Sequence, residues 1–126
     1  MIDHVIVTVG DFDRSKAFYE RALAPLGMTA TPEFPWGPTQ ARGVGFGGED
    51  KEFFVVEGSP IQPPIHLAFR AATRAEVRAF HSVALAAGGR DNGVPALSPE
   101  HHADYFSAYV FDPDGHNIEA VCHEPE

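Results

Sequence analysis

An internal repeat of 62 residues is the feature that most constrains the fold of this chain. Shifting the 126-residue sequence by 62 positions aligns its two halves without a gap. The shift places His4 on His66 and, near the end of each copy, Glu57 on Glu119. Because two copies of one unit form related structures, the repeat predicts a pseudo-symmetric fold with matched positions in its two halves.

Each copy predicts the same order of secondary structure. An alternating apolar strand comes first, a helix follows, and three further strands complete residues 1–62 and residues 63–124. The second helix begins at a capping box, Thr73 to Glu76. We therefore predict an α+β fold in which residues 1–126 form a single domain of two βαβββ modules. The curved, mixed sheets of the modules are expected to enclose a cavity, since each helix covers only one sheet face.

A segment rich in proline and glycine interrupts the first module. Residues Thr31–Gly43 contain three prolines and two glycines around Phe34 and Trp36. This composition is typical of a loop, and a loop of this length predicts a lid over the cavity.

Strand alternation assigns side chains to the two faces of each sheet. In the first strand the valines form the apolar side that a helix covers, which leaves His4 on the cavity side. The same rule assigns His66 and Glu119 to the cavity side of the second module. Glu57, the repeat partner of Glu119, is assigned to the cavity side of the first.

Two histidines and two carboxylates at matched positions predict a metal site. A pseudo-twofold axis between the copies would bring His4, His66, Glu57 and Glu119 together. Imidazole nitrogen with carboxylate oxygen suits Zn²⁺, Ni²⁺, Fe²⁺ or Mn²⁺, and the ligand types alone do not choose among these ions. The fold is therefore expected to enclose a cavity that holds a metal site.

Several motifs along the whole chain resemble the vicinal oxygen chelate superfamily. That superfamily includes glyoxalase I, extradiol dioxygenases, fosfomycin-modifying enzymes and bleomycin-resistance proteins. The resemblance rests on four segments: Asp3-His4-Val5, Ser15-Lys16-Ala17-Phe18-Tyr19 before Leu26-Gly27, Ile65-His66-Leu67, and the stretch from Phe111 through the turn Asp112-Pro113-Asp114-Gly115 to Ile118-Glu119.

The resemblance also implies roles for the matched residues. His4, His66 and Glu119 match the superfamily's metal-ligand positions. Glu57 matches a fourth ligand of glyoxalase I-like members, which implies a carboxylate that accepts a proton during turnover. The fourth strand varies most among these proteins, so Glu57 is the least constrained of the four assignments.

Five further residues are candidates for substrate binding or catalysis. Arg70 shares the face of His66 and could bind a substrate carboxylate or phosphonate, or form a salt bridge at the rim. Tyr105 and His102 could exchange protons with a substrate, and His101 could contact it, although a solvated loop is the simpler explanation of the two histidines. Trp36 could provide an aromatic wall.

Charge and composition exclude some partners. The formal net charge of −9 repels phosphate backbones and anionic lipid heads, so we expect neither nucleic acid nor membrane surfaces to bind. No apolar run has the length of a membrane span, and the first residues do not resemble an export signal. Cys122 is the only cysteine, which is compatible with a reducing cytoplasm, where we expect the protein to act.

The sequence therefore predicts a metal-dependent, glyoxalase-related enzyme of the isomerase or lyase type. One divalent ion, Zn²⁺ being favoured, would chelate two neighbouring oxygens of a small-molecule substrate. The alternatives are an extradiol-type dioxygenase with three protein ligands and a metal-free binding protein of the bleomycin-resistance kind. Because a concave sheet face with open edges is large for a chain of this size, we also expect a homodimer.

Overall fold

The computed structural model describes residues 1–126 and contains nine strands and two α-helices. A single 3₁₀ turn, Ala24–Leu26, follows the first helix. In chain order the elements are β1 (Val5–Val9), α1 (Phe12–Ala22), β2 (Thr29–Ala30), β3 (Phe34–Trp36), β4 (Ala41–Gly47), β5 (Lys51–Glu57), β6 (His66–Arg70), α2 (Arg74–Ala86), β7 (Arg90–Leu97), β8 (Phe106–Phe111) and β9 (Asn117–Cys122).

The strands form two mixed sheets, one in each half of the chain. The first has the order β1-β5-β4-β2, with β3 also paired to β4, and the second has the order β6-β9-β8-β7. In each sheet the first strand of the module pairs in parallel with the last, and the other pairs are antiparallel. The predicted pair of modules is confirmed, with one additional short strand in the first.

The additional strand lies inside the segment predicted to be a lid. Phe34–Trp36 pairs antiparallel with the start of β4, and Trp36 stands opposite Ala41. Its backbone hydrogen bonds make this part of the segment an edge of the first sheet, so the prediction of an unstructured loop over the cavity is wrong there. Pro35 is tolerated because an edge strand has one side without a partner.

Side-chain caps determine where both helices begin. The Asp11 carboxylate accepts a hydrogen bond from the Arg14 amide at 3.2 Å. In α2 the Thr73 hydroxyl accepts from the Glu76 amide at 3.1 Å, as its capping box predicts. Each cap satisfies one of the amides that lack a partner in the first turn of a helix. Neither helix is long and apolar enough to span a membrane.

The two modules share one hydrophobic core. It is a cluster of 21 buried residues from the helix-covered faces of both sheets and from both helices. Val7 and Val9 of β1 lie in this core, as alternation predicts. The core therefore joins the modules through their helix-covered faces, and the opposite face of each sheet lies outside it. We call these the open faces.

A buried hydrogen bond crosses between the modules beside this core. The Tyr19 hydroxyl of α1 donates to the Asp112 carboxylate in the turn between β8 and β9. Asp112 is only 4% exposed, and burial raises the pKa of Tyr19 well above its ordinary range. The Asp-Pro-Asp-Gly turn of the second module thus holds the helix of the first.

Candidate functional site

A buried carboxylate on the open face of the second sheet is the centre of the candidate site. Glu119 lies in the middle of β9, opposite Ala68 of the parallel strand β6, and is 2% exposed. Its Oε1 atom lies 2.9 Å from Nε2 of His66. The Tyr105 hydroxyl donates a hydrogen bond to its Oε2 atom. Both carboxylate oxygens therefore have a partner on this face.

The tyrosine in this group stays protonated over a wide pH range. Desolvation by burial raises the pKa of Tyr105 first, and the hydrogen bond to Glu119 raises it further. The phenol is therefore a donor to the carboxylate at neutral pH. The His66 side chain, unlike the buried Glu119 carboxylate, is 51% exposed and reaches solvent from the edge of the sheet.

The other predicted histidine ligand lies in the first module. His4 precedes β1, and its Nδ1 atom lies 2.6 Å from a carboxylate oxygen of Asp3. Its ring packs edge-on against Phe54 with the centroids 5.7 Å apart. No three His, Cys, Asp or Glu side chains converge into a metal-binding group anywhere in the chain. The prediction that one chain brings all four ligands together is therefore wrong.

Glu57 lies on the opposite side of its sheet from the predicted one. It pairs with Val9 of the parallel strand β1, and paired residues of neighbouring strands point to the same face. Val9 is in the core, as is Val55, two positions before Glu57 in the strand. Register and alternation therefore assign Glu57 to the helix-covered side, at the exposed end of β5. Alternation groups Glu57 with Phe53 and Val55, and the assignment was wrong because it placed this face on the cavity side, whereas Phe53 and Val55 are in the core.

The repeat partner of Glu119 is Phe54 and not Glu57. In the first sheet Val5 pairs with Phe53, and in the second Leu67 pairs with Ile118. Leu67 follows Val5 by 62 residues, but Ile118 follows Phe53 by 65. The last strand of the second module is thus displaced by three residues relative to the 62-residue shift. Two of the three are already present at β8, since Val110, the partner of Ile118, follows Phe46, the partner of Phe53, by 64 residues. Gaps placed between α2 and β9 were the signal that the ungapped repeat missed.

A different carboxylate accompanies His4 on its open face. The register of β1 and β5 pairs Val5 with Phe53, so Glu52 is the residue beside His4. Glu52 is exposed and was not selected from the sequence. Phe54, two positions further along β5, fills the place that Glu119 occupies in the second sheet, so the first sheet presents a ring where the second presents a carboxylate.

The predicted loop histidines gather around Tyr105. The His101 ring lies 4.7 Å from the Tyr105 ring, between centroids, and the His102 ring lies 5.5 Å away. Nδ1 of His102 accepts a hydrogen bond from the Asp104 amide, so the ring proton of His102 is on Nε2. This Nε2 donates to Nδ1 of His123 at 2.8 Å. Neither predicted histidine hydrogen-bonds Glu119.

Arg70 lines a cleft between the two modules. This cleft has a volume of about 350 Å³ and is lined by Arg70 with Met28, Gly47, Gly48, Glu52, Ala68 and Phe69. Arg70 is exposed and forms no ion pair within 4 Å. The rim salt bridge is therefore absent, which leaves the guanidinium free for a ligand anion.

A family model matches almost the whole chain. Residues 1–120 match the model described as the glyoxalase/bleomycin resistance protein/dioxygenase superfamily. A search of the curated proteins finds no relative.

Solved structures of the same superfamily have a similar fold. A glyoxalase/bleomycin resistance protein from Albidiferax ferrireducens T118 is 27% identical, with a TM-score of 0.76 over 99% of both chains. A glyoxalase/bleomycin resistance protein/dioxygenase domain from Frankia sp. EAN1pec is 18% identical, with a TM-score of 0.74 over 98% of both chains. The fosfomycin resistance protein FosX from Listeria monocytogenes is also 18% identical, with a TM-score of 0.69 over 96% of this chain and 90% of that one. Its structure, that of a mutant, contains Mn(II) and 1S,2S-dihydroxypropylphosphonic acid.

Proposed function

The chain belongs to the glyoxalase/bleomycin resistance protein/dioxygenase superfamily, and from this membership we propose that it is a metal-dependent enzyme of the isomerase or lyase type. Its substrate is a small molecule with two neighbouring oxygen atoms. The observation that carries the proposal is the buried Glu119 carboxylate, held 2.9 Å from His66 on the open face of the sheet. A buried carboxylate is costly without a compensating charge, and a divalent cation would supply one.

The donor set fits such an ion, although one chain supplies only part of it. His66 and Glu119 provide one imidazole nitrogen and one carboxylate oxygen at adjacent positions. We assign the second imidazole to His4 of another copy of the chain, since His4 does not reach this pair within its own chain. Two imidazoles and a carboxylate suit Zn²⁺, Ni²⁺, Fe²⁺ or Mn²⁺, with Zn²⁺ favoured. The bound ion would act as a Lewis acid on the substrate oxygens.

The residues around this set have separate roles. Tyr105 orients Glu119 through its hydroxyl and keeps its own proton there. Arg70 binds an anionic group of the substrate, because its guanidinium is free and can form a bidentate pair. His101 and His102 border the site through the ring of Tyr105, and we assign to His102 the exchange of a proton with the substrate.

The first test is the metal content of the purified protein. We expect about one divalent transition metal per chain, and His66→Ala should lose it because the substitution removes one of three ligands. The fold should survive, since His66 is half exposed at the edge of the sheet. Elemental analysis measures the metal content, and circular dichroism measures whether the fold is kept. His101→Ala is the matched control, which should keep its metal.

Full metal retention by His66→Ala would show that this histidine is not a ligand. A folded wild-type protein that binds no metal under any loading condition would favour the metal-free binding protein instead.

The second test concerns the homodimer, in which each site takes residues from both chains. Variants His4→Ala and His66→Ala should each bind no metal alone. After mixing and subunit exchange, about one quarter of the wild-type sites should return, because half of the dimers are mixed and each mixed dimer has one intact site of two. Elemental analysis after gel filtration gives the number of sites, and light scattering gives the mass.

A single-chain site predicts no recovery on mixing. A monomer at micromolar concentration would contradict the dimer directly, and either result would refute the shared site.

The extradiol-type dioxygenase is the second candidate function. Phe54 fills the position where a fourth carboxylate would stand, which leaves two histidines and one carboxylate. This three-ligand set is the one that non-haem Fe²⁺ oxygenases use. Oxygen consumption with catechol by the Fe²⁺-loaded protein, and none by the Zn²⁺-loaded protein, would favour this candidate over the isomerase or lyase.

A further inference from the structure

We infer that the substrate carries a planar aromatic ring, which packs on three aromatic side chains of the first sheet. These are Phe34, Trp36 and Phe54, which we call the aromatic platform. The inference rests on the proposed function in one respect, because it places the oxygen atoms of the substrate beside His4. The ring contact itself does not depend on a metal.

The three rings of the platform form one connected surface. The Phe34 and Trp36 centroids lie 6.2 Å apart, as do those of Phe34 and Phe54, and the Trp36 and Phe54 centroids lie 6.4 Å apart. They come from β3 and β5, the strands on either side of β4. Rings at these distances and tilts attract one another and present both faces and edges to a further ring.

Two glycines of β4 let the rings lie directly on the sheet. A Cβ atom on Gly45 would stand 2.7 Å from the Phe54 ring, and one on Gly43 would stand 3.0 Å from the Phe34 ring. Any other residue at Gly45 would displace Phe54. The sheet therefore has no side chain between the rings, and the platform is continuous from β3 to β5.

The open area of the platform is that of a small ring and not of a protein interface. Trp36 is 38% exposed, and Phe34 and Phe54 are half-buried. A stable protein interface buries about 800 Å² on each partner, far more than three partly covered rings provide. The platform therefore leaves ring surface uncovered within one chain, and one face of a planar ring is a complementary contact for it.

Polarity sets the orientation of the substrate on this surface. None of the platform residues is charged, whereas His4 contacts the edge of Phe54 at 5.7 Å between centroids. The open face of the second sheet carries the polar groups, which include Arg70, Tyr105 and Glu119. The ring of the substrate therefore packs on the first sheet of one copy, and its oxygen atoms point toward His4 of that copy and the polar face of the other copy.

Three 2-hydroxy acids test this inference because they share the two neighbouring oxygens. Mandelate has a phenyl group, hexahydromandelate has a cyclohexyl group of similar size that is not planar, and lactate has a methyl group. We expect mandelate to bind at least about tenfold more tightly than lactate and about threefold more tightly than hexahydromandelate. Trp36 is the only tryptophan, so quenching of its fluorescence reports the contact, and calorimetry gives the affinity.

Variants of the platform separate ring contact from general binding. Phe54→Leu keeps an apolar side chain but removes the ring, so the preference for mandelate over lactate should fall below about threefold while lactate affinity stays the same. Trp36→Leu, at the exposed edge of the sheet, should act in the same direction by calorimetry if Phe54→Leu folds poorly. Leu85→Ala changes an exposed leucine on α2 and should alter nothing.

Equal affinity for mandelate and lactate, or for mandelate and hexahydromandelate, overturns the inference. So does the absence of Trp36 quenching by mandelate up to about 10 mM, a concentration that covers very weak binding. The same titrations in EDTA distinguish this failure from failure of the proposed function. If the protein prefers mandelate but binds no metal, the aromatic platform is supported and the metal-dependent enzyme is refuted. If it binds metal but shows no preference for mandelate, the enzyme proposal stands and the aromatic platform is refuted.

Discussion

Glu119→Gln is expected to weaken metal binding by at least about 100-fold and to abolish activity, whereas Glu57→Gln should change neither. The glutamine at position 119 keeps the shape and one oxygen but removes the charge that a divalent cation requires. It also keeps an acceptor for the Tyr105 hydroxyl, so the fold should be preserved. Metal affinity is measured by competition with a chelator of known affinity.

Glu57→Gln is the matched control because it makes the same chemical change at the supposed repeat partner. Its register beside Val9 assigns it to the helix-covered side of the sheet. Equal loss of metal in both variants would restore a four-ligand site and favour the glyoxalase I-like arrangement. Loss in the Glu57 variant alone would refute the assignment of Glu119.

Asp112→Ala is expected to lower the free energy of unfolding by about 3–4 kcal/mol, because it breaks a buried hydrogen-bond network to a charged group. Oδ2 of Asp112 accepts from the Tyr19 hydroxyl, and Oδ1 accepts from the amides of Asp114 at 3.0 Å and His116 at 2.8 Å. The substitution leaves the Tyr19 hydroxyl without its partner between the two modules. Urea unfolding followed by circular dichroism gives the change.

Asp114→Asn in the same turn is the control, and at pH 7 it should stabilise the protein slightly. Burial and the neighbouring Asp112 raise the pKa of Asp114. Because the pKa of Asp114 is raised in the folded state, ionisation of its carboxyl lowers the free energy of unfolding at pH values above the ordinary aspartate pKa. The advantage of asparagine should therefore disappear below about pH 4, where the carboxyl is protonated in both states. A cost for Asp114→Asn as large as that for Asp112→Ala would contradict this account.

Local patterns predicted most of the elements and one half of the candidate site. The alternation of β1 assigned its valines correctly to the core, and the capping box at Thr73 marked the start of α2. His66 and Glu119 were expected on one face, and they lie 2.9 Å apart. These predictions succeed because side-chain direction along a strand depends only on the strand itself and its adjacent neighbour.

Predictions that depended on counting across a whole module failed. Glu57 was matched to Glu119 by an ungapped repeat, but β9 is displaced by three residues relative to β5, and two of these three are already present at β8. The register of the parallel strand pair is the same in both modules, so the position of the Glu119 carboxylate corresponds to Phe54 in the first.

Residue spacing within single strands and similarity between the halves predicted two related βαβββ modules, the helix-covered faces of β1, β6 and β9, and the chemical identity of the candidate ligands. The joining of the modules through their helix-covered faces, which leaves His4 apart from His66 and Glu119, depends on packing between the two halves. That choice is made by the burial of apolar surface between distant segments, for which the strand periodicity of either module contains no information.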